Sequence, residues 1–359
     1  MTELMSGIGQ RRVPTDRVAV NVLEHAGAGA AGAEGAESGG DVPVVFVHGN
    51  CSSSLFWQPT MQALGSVGRR SLAIDLRGFG ESEIAPVDAT RGLRDFSDDV
   101  AATLDALGVP RAHLVGWSMG GGVVQQLLID RPDLVESLTL VAPVSPYGFG
   151  GTAADGSLLT PDGAGTGGGG ANPEFVKRLG AKDRSEESGS SPRKVFRAVY
   201  VAPGFDDGHE DLWTESTVST AVGEDNYPGD LRPSQNWPGF APGDRGVLNT
   251  MAPTHCNLTG IVEGEAKPPI LWIRGDVDAI ISDASSLDLN RLGELGVIPG
   301  WPGAEVAPAQ PMIAQTRAVL DRYRDAGGAY REVVLTGVGH SPHLEQPEAF
   351  RVELLEHIR

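Results

Sequence analysis

Short apolar runs separated by amphipathic stretches mark out most of this chain. Val42 to His48 is a continuous apolar run ending in a polar turn, the form taken by a strand covered on both faces of a parallel sheet. Ser71 to Asp75, Ala112 to Gly116 and Ser137 to Ala142 repeat it. Between them, Leu93 to Leu107 has apolar residues at helical spacing, and Gly120 to Ile129 follows a glycine-rich turn and stops at Pro132. Strand and helix therefore alternate, which predicts a mostly parallel sheet flanked by helices, with ligands collecting at the carboxyl ends of the strands. Upstream, Arg12 to His25 predicts two short strands, and Ala26 to Gly40 reads as a low-complexity loop without function.

The alternation breaks at Val144. From there to about Lys267, glycine, proline and charged residues dominate, with Gly163 to Gly170 almost pure glycine. Pro269 to Arg274 resumes the buried-strand pattern, followed by a helix over Met312 to Tyr323, a strand over Tyr330 to Leu335 and a closing helix over Pro347 to Ile358. This divides the chain into core residues 1–143, an inserted cap over 144–267 and core residues 268–359. The insertion is expected to govern substrate choice rather than core folding. Ser282 to Pro311, with Trp301 and several prolines, reads as a second, shorter excursion.

Composition narrows the function. A length of 359 residues suits one elaborated domain, and a formal charge of −19 opposes binding to nucleic acid or anionic lipid. Two cysteines, Cys51 and Cys256, are too few for a disulfide framework or a cysteine zinc site. No apolar leader or spanning segment is visible, so a cytoplasmic protein without membrane contact is expected.

The chemistry centres on Gly116-Trp117-Ser118-Met119-Gly120, placed after a strand and before a helix. A sharp strand-to-helix turn strains the serine backbone, and small residues on both sides let sheet and helix approach. A serine hydroxyl needs a general base within reach and a carboxylate to orient that base. His340, just past the final predicted strand, can supply the base; His343 is its competitor.

Gly116-Trp117-Ser118-Met119-Gly120-Gly121, His48-Gly49-Asn50, Asp75 to Ser82 (DLRGFGES) and Gly339 to Glu348 (GHSPHLEQPE) together resemble the α/β-hydrolase superfamily over about two thirds of the chain, failing in the insertion. The resemblance implies an α/β-hydrolase fold and a triad of Ser118, His340 and an aspartate after the strand ending at Arg274. The family's spacing selects Asp278, with Asp276 left as the alternative. It also implies that the amides of Asn50 and Met119 form the oxyanion hole, and that Asp75 and Arg77 shape loops. His48 is expected to be buried and hydrogen-bonded rather than catalytic. A serine at position 118 argues against haloalkane dehalogenases and epoxide hydrolases, whose alkyl-enzyme chemistry needs a carboxylate there.

Trp117, Tyr147 and Phe149 are candidates for substrate contact, and Tyr200, Phe205, Trp213, Tyr227, Trp237 and Phe240 are further aromatic candidates in the insertion. His25, His113, His209, His255 and His357 read as surface or packing residues. Gly163 to Gly168 fits a dinucleotide-loop string but lacks the strand and helix that would make one. The acidic run Asp206 to Asp211 lacks a cation-site spacing. Neither cofactor nor metal is expected. The function expected is cleavage of a hydrophobic ester or lactone through an acyl-enzyme. A carbon–carbon hydrolase of ring-cleavage products and a non-hydrolytic ligand receptor are the alternatives.

Overall fold

A computed structural model describes residues 4–27 and 42–359. Most of the loop expected over Ala26 to Gly40 lies outside the described residues. Eight strands form the central sheet: β1 (Gly9–Pro14), β2 (Ala19–His25), β3 (Val44–Val47), β4 (Ser71–Ile74), β5 (Ala112–Trp117), β6 (Val135–Val141) and, after the insertion, Ile270–Gly275 and Tyr330–Leu335. The order in space is β1-β2-β4-β3-β5-β6, then Ile270–Gly275, then Tyr330–Leu335. β2 is antiparallel to both β1 and β4, and every other pairing is parallel. β1 starts three residues before the expected Arg12 because its outward positions are exposed and polar, leaving no apolar signal.

Helices α1 (Gln58–Ser66), α2 (Arg94–Ala106) and α3 (Met119–Asp130) connect β3 to β4, β4 to β5 and β5 to β6. Because β3 lies between β4 and β5, the chain winds first to one side and then to the other, and the crevice at this reversal lies at the carboxyl ends of β3 and β5. The strands alternate their side chains between two buried clusters. Val45, Val47, Leu72, Ile74 and Leu114 belong to one; Val44, Phe46, Ala73 and Val115 belong to the other.

No strand between Val141 and Ile270 joins the sheet; Val222–Gly223 with Tyr227–Pro228 and Leu231–Pro233 with Phe240–Pro242 make only two small ribbons. The insertion nevertheless builds the core. Phe196, Val201 and Trp213 pack in the cluster that holds Phe56, Trp57 and Trp117, with the Phe56 and Trp213 rings 5.0 Å apart. Phe175, Leu179 and Tyr227 enter the opposite cluster. Truncating a buried aromatic at such a position costs about 3–5 kcal/mol. The insertion's apolar residues thus fill core volume although it gives no strand to the sheet. The second excursion is not irregular throughout: Leu289–Glu294 is a short helix started by Asp288, whose carboxylate accepts from the Asn290 amide at 2.8 Å.

Candidate active site

Ser118 sits between β5 and α3 with φ 55° and ψ −120°, a conformation that costs a side-chain-bearing residue about 1–3 kcal/mol. The surroundings hold it there: its amide donates to Val141 O at 2.9 Å, and its carbonyl accepts from Gly121 and Val144 at 3.0 and 3.1 Å. Glycine is required on both sides. A Cβ at Gly116 would stand 2.3 Å from Gly120 O, and one at Gly120 would stand 2.4 Å from Val47 O. This close approach of α3 to β3 brings the loop after β3 against the serine, so that a Cβ on Gly49 would lie 3.0 Å from Ser118 Cβ. The amides of Asn50 and Met119 flank that contact. Among the described residues neither N–H donates in a backbone bond outside the helices and strands.

His340 and Asp278 meet at the ends of the last two sheet strands. His340 Nδ1 lies 2.8 Å from Asp278 Oδ2, and both side chains are buried. The other carboxylate oxygen, Oδ1, accepts from the Ile280 and Ile281 amides at 2.8 and 3.0 Å, which fixes the direction of Oδ2. Asp276 points elsewhere and accepts from the Gly337 amide at 2.7 Å. Glu345 steadies the histidine loop by accepting from the amides of Gly339 and Ser341, and it also takes the Ala202 amide from the insertion.

His343 is remote from this function. Its ring stacks on Trp57 at 4.3 Å, and neither ring nitrogen has a partner. Burial, reinforced by neighbouring His340, pushes it down to about 3 from an ordinary 6.5. The folded ring therefore stays neutral while the unfolded chain takes up a proton near 6.5. Its contribution to stability is complete above that value and is lost as pH falls from 6.5 towards 3. His343→Phe should remove this acid sensitivity. Between about pH 6.5 and about pH 4, urea unfolding should show the wild type losing about 1.4 kcal/mol per pH unit relative to the variant. Parallel curves would refute the assignment.

His48 is buried beneath the loop. Its Nε2 accepts from the Leu76 amide at 3.0 Å, so Nδ1 carries the proton and donates to Gly49 O at 2.7 Å. Asp75 accepts from Ser54 N, Asn21 Nδ2 and Glu81 N, and Arg77 forms a buried fork with Asp99. All three groups shape loops.

Asn50, Ser118 and His340 open on one cavity of about 1210 Å³. Phe149 lines it. Trp117 does not: its ring is buried on the far side, 4.9 Å from Phe56, with Nε1 donating to His340 O at 2.8 Å. Tyr147 is also absent from the wall because its ring covers Gly156 in a neighbouring turn. Of the other insertion aromatics, Tyr200, Tyr227 and Phe240 line the cavity, whereas Trp213 is core and Trp237 donates to Pro299 O. Sequence reasoning missed the contribution of the second excursion: Leu289, Leu292, Val297 and Ile298 form part of the wall. The apolar spacing of those four residues was the available signal.

The acidic run belongs to surface ion pairs and turns: Glu210 meets Arg193 and Arg197, and Asp207 accepts from Trp213 Nε1. Among the described residues no group of three or more His, Cys, Asp or Glu is arranged to hold a metal, and no helix is long and apolar enough to cross a membrane.

A sequence model of the α/β hydrolase fold matches residues 42–164. A candidate carbamate hydrolase, RutD, of Variovorax paradoxus is 45% identical over 98 residues, which is 27% of this chain and 36% of that protein. The 2-hydroxy-6-oxo-6-phenylhexa-2,4-dienoate hydrolase of Comamonas testosteroni is 33% identical over 110 residues, 30% of this chain and 38% of that one. The chain thus spans little more than a third of the length of these curated relatives. Carboxylesterase CesB of Bacillus subtilis superposes with a TM-score of 0.57 at 17% identity, covering 98% of this chain and 91% of that one, which is a likeness of fold. The matched segment carries β3 to β6 and includes Ser118, the superposition covers nearly the whole chain, and together they show that the chain has the α/β-hydrolase fold.

Proposed function

We propose that the protein is a serine hydrolase that cleaves a carboxylic ester or lactone through an acyl-enzyme. The observation that carries this reading is the buried His340–Asp278 pair at 2.8 Å, opening on the same cavity as a serine held at φ 55°. Ser118 Oγ attacks the carbonyl carbon while His340 Nε2 takes the hydroxyl proton. The amides of Asn50 and Met119 receive the oxyanion. Collapse breaks the bond to the leaving oxygen, which takes the proton from His340. Water then repeats the sequence on the acyl-enzyme, giving up a proton to His340 and releasing the acid and free Ser118. Asp278 holds the Nδ1 proton and offsets the charge of the imidazolium. Residues 144–267 act as a cap over the carboxyl ends of the strands and, with the second excursion, set the substrate's size and polarity.

The cavity favours a large, apolar, uncharged substrate. Among the described residues, the one amine, guanidine or carboxyl group on its wall besides the His340 imidazole is that of the exposed Lys177. A dienoate would bring a carboxylate into a cavity whose described wall offers one cation, the exposed Lys177, against a large apolar lining, and this favours the ester over the carbon–carbon bond. Turnover of p-nitrophenyl esters of increasing chain length, beside a dienoic ketone, tests the choice. Ester turnover that rises with chain length is expected; turnover of the ketone alone overturns it, and a bound ester that never turns over points to a receptor.

Leu292 gives a second handle on the same reading, since it lines the cavity from the second excursion rather than from the elements that carry the triad. Leu292→Trp should lower kcat/KM for a long-chain ester by about tenfold and leave the acetate ester within about twofold. Equal losses on both esters would place the acyl chain elsewhere.

A further inference from the structure

Tyr200 stands where the insertion meets both loops of the site. It ends the helical turn Phe196–Tyr200, and its hydroxyl donates to Asn50 O at 2.9 Å. Its own carbonyl accepts from Ser341 Oγ, next to His340, at 2.7 Å. The ring meets Trp117 and His340 edge-on, with centroids 5.9 and 6.1 Å away, and lines the cavity. The peptide it grips is strained, because Cys51, which follows Asn50, has φ 47° although it is not glycine. Such a conformation persists only where neighbours enforce it. Turning the Asn50–Cys51 peptide changes ψ of Asn50, and a compensating rotation of the preceding peptide would swing the Asn50 amide away from the oxyanion.

On the hydrolase reading above, we infer that Tyr200 is a positioning residue: through Asn50 O it fixes the oxyanion amide from the insertion, coupling the seating of the cap to catalytic competence. Its proton is committed to Asn50 O rather than to substrate. Burial pushes the phenol well above its ordinary value, so the hydroxyl remains a donor in alkaline solution. A cap that lifts would release Asn50 and the loop after His340 together, leaving Ser118 without a formed oxyanion hole until the cap reseats.

The test is Tyr200→Phe in the full chain, which keeps the ring contacts and deletes one hydroxyl. With a p-nitrophenyl ester, kcat should fall about tenfold, a fraction of the loss from deleting an oxyanion donor, while KM stays within about twofold. Affinity for a trifluoromethyl ketone, which forms a tetrahedral adduct on serine, should fall by the same factor as kcat. The shape of the pH–rate profile should not change, and the melting temperature should stay within about 2 °C. Unchanged kcat and ketone affinity would overturn the inference. So would loss of an alkaline limb, which would make the phenol a proton donor, or a larger fall in melting temperature, which would make its role structural. Wild-type turnover abolished by Ser118→Ala keeps the hydrolase reading intact whichever way Tyr200→Phe falls; absence of wild-type turnover on any ester tested defeats that reading itself.

Discussion

Ser118→Ala should lower ester turnover at least about a thousandfold and abolish labelling by a fluorophosphonate, which should add its mass once to the wild-type protein. The loss is large because no other group on the cavity wall combines a nucleophile with an adjacent base: Cys51 also lines the cavity, but burial pushes its thiol up to about 12, so it carries no thiolate at neutral pH. Stability offers an independent check. Alanine at φ 55° retains the strain of serine, whereas glycine relieves it, so Ser118→Gly should be inactive yet about 1 kcal/mol more stable than Ser118→Ala. Chemical denaturation measures the difference, and intact-mass spectrometry with peptide mapping locates the label. A label on another residue, or turnover surviving in Ser118→Ala, would sink the assignment of the nucleophile.

The features legible in the sequence are those that local chemistry dictates. β3 to β6 could be read because strands covered on both faces are largely apolar, and the strand–turn–helix frame of Ser118 because close approach at Gly116 and Gly120 excludes any side chain. The direction of Trp117 was also readable in principle. It shares a strand face with Val115, hence with the buried cluster around Phe46, and not with the crevice. The cavity wall was not readable in this way. Leu292 and Ile298 reach the cavity from a segment outside the alternating strand–helix pattern, so their apolar spacing does not say what they face, and the packing of Trp213 on Phe56 joins residues far apart in sequence. Tyr200 was legible only as one aromatic among several, because its bond to Asn50 O depends on how the insertion seats on the sheet.

Asp278→Asn should lower turnover by roughly three to four orders of magnitude with the fold retained, while Asp276→Asn should cost far less activity. In the mechanism proposed above, Oδ2 of Asp278 accepts the His340 Nδ1 proton and leaves Nε2 to take the proton of Ser118. The amides of Ile280 and Ile281 hold Oδ1, so in the asparagine variant they keep the carbonyl oxygen on their side and turn the amide NH₂ towards His340. A donor facing Nδ1 forces the ring into the tautomer that carries its proton on Nε2, which cannot act as a base towards serine. Burial adds to the loss, since the carboxylate's attraction for the imidazolium is weakly screened where both side chains are nearly inaccessible. Asp276 lacks this leverage: its carboxylate is exposed and accepts from the Gly337 amide, so its asparagine variant retains the acceptor oxygen and should lose little beyond some stability. Steady-state kinetics of both variants, paired with melting temperatures, separate the two roles. The opposite ranking at equal stability would make Asp276 the orienting acid and would mean that the 2.8 Å contact at His340 is not the one catalysis uses.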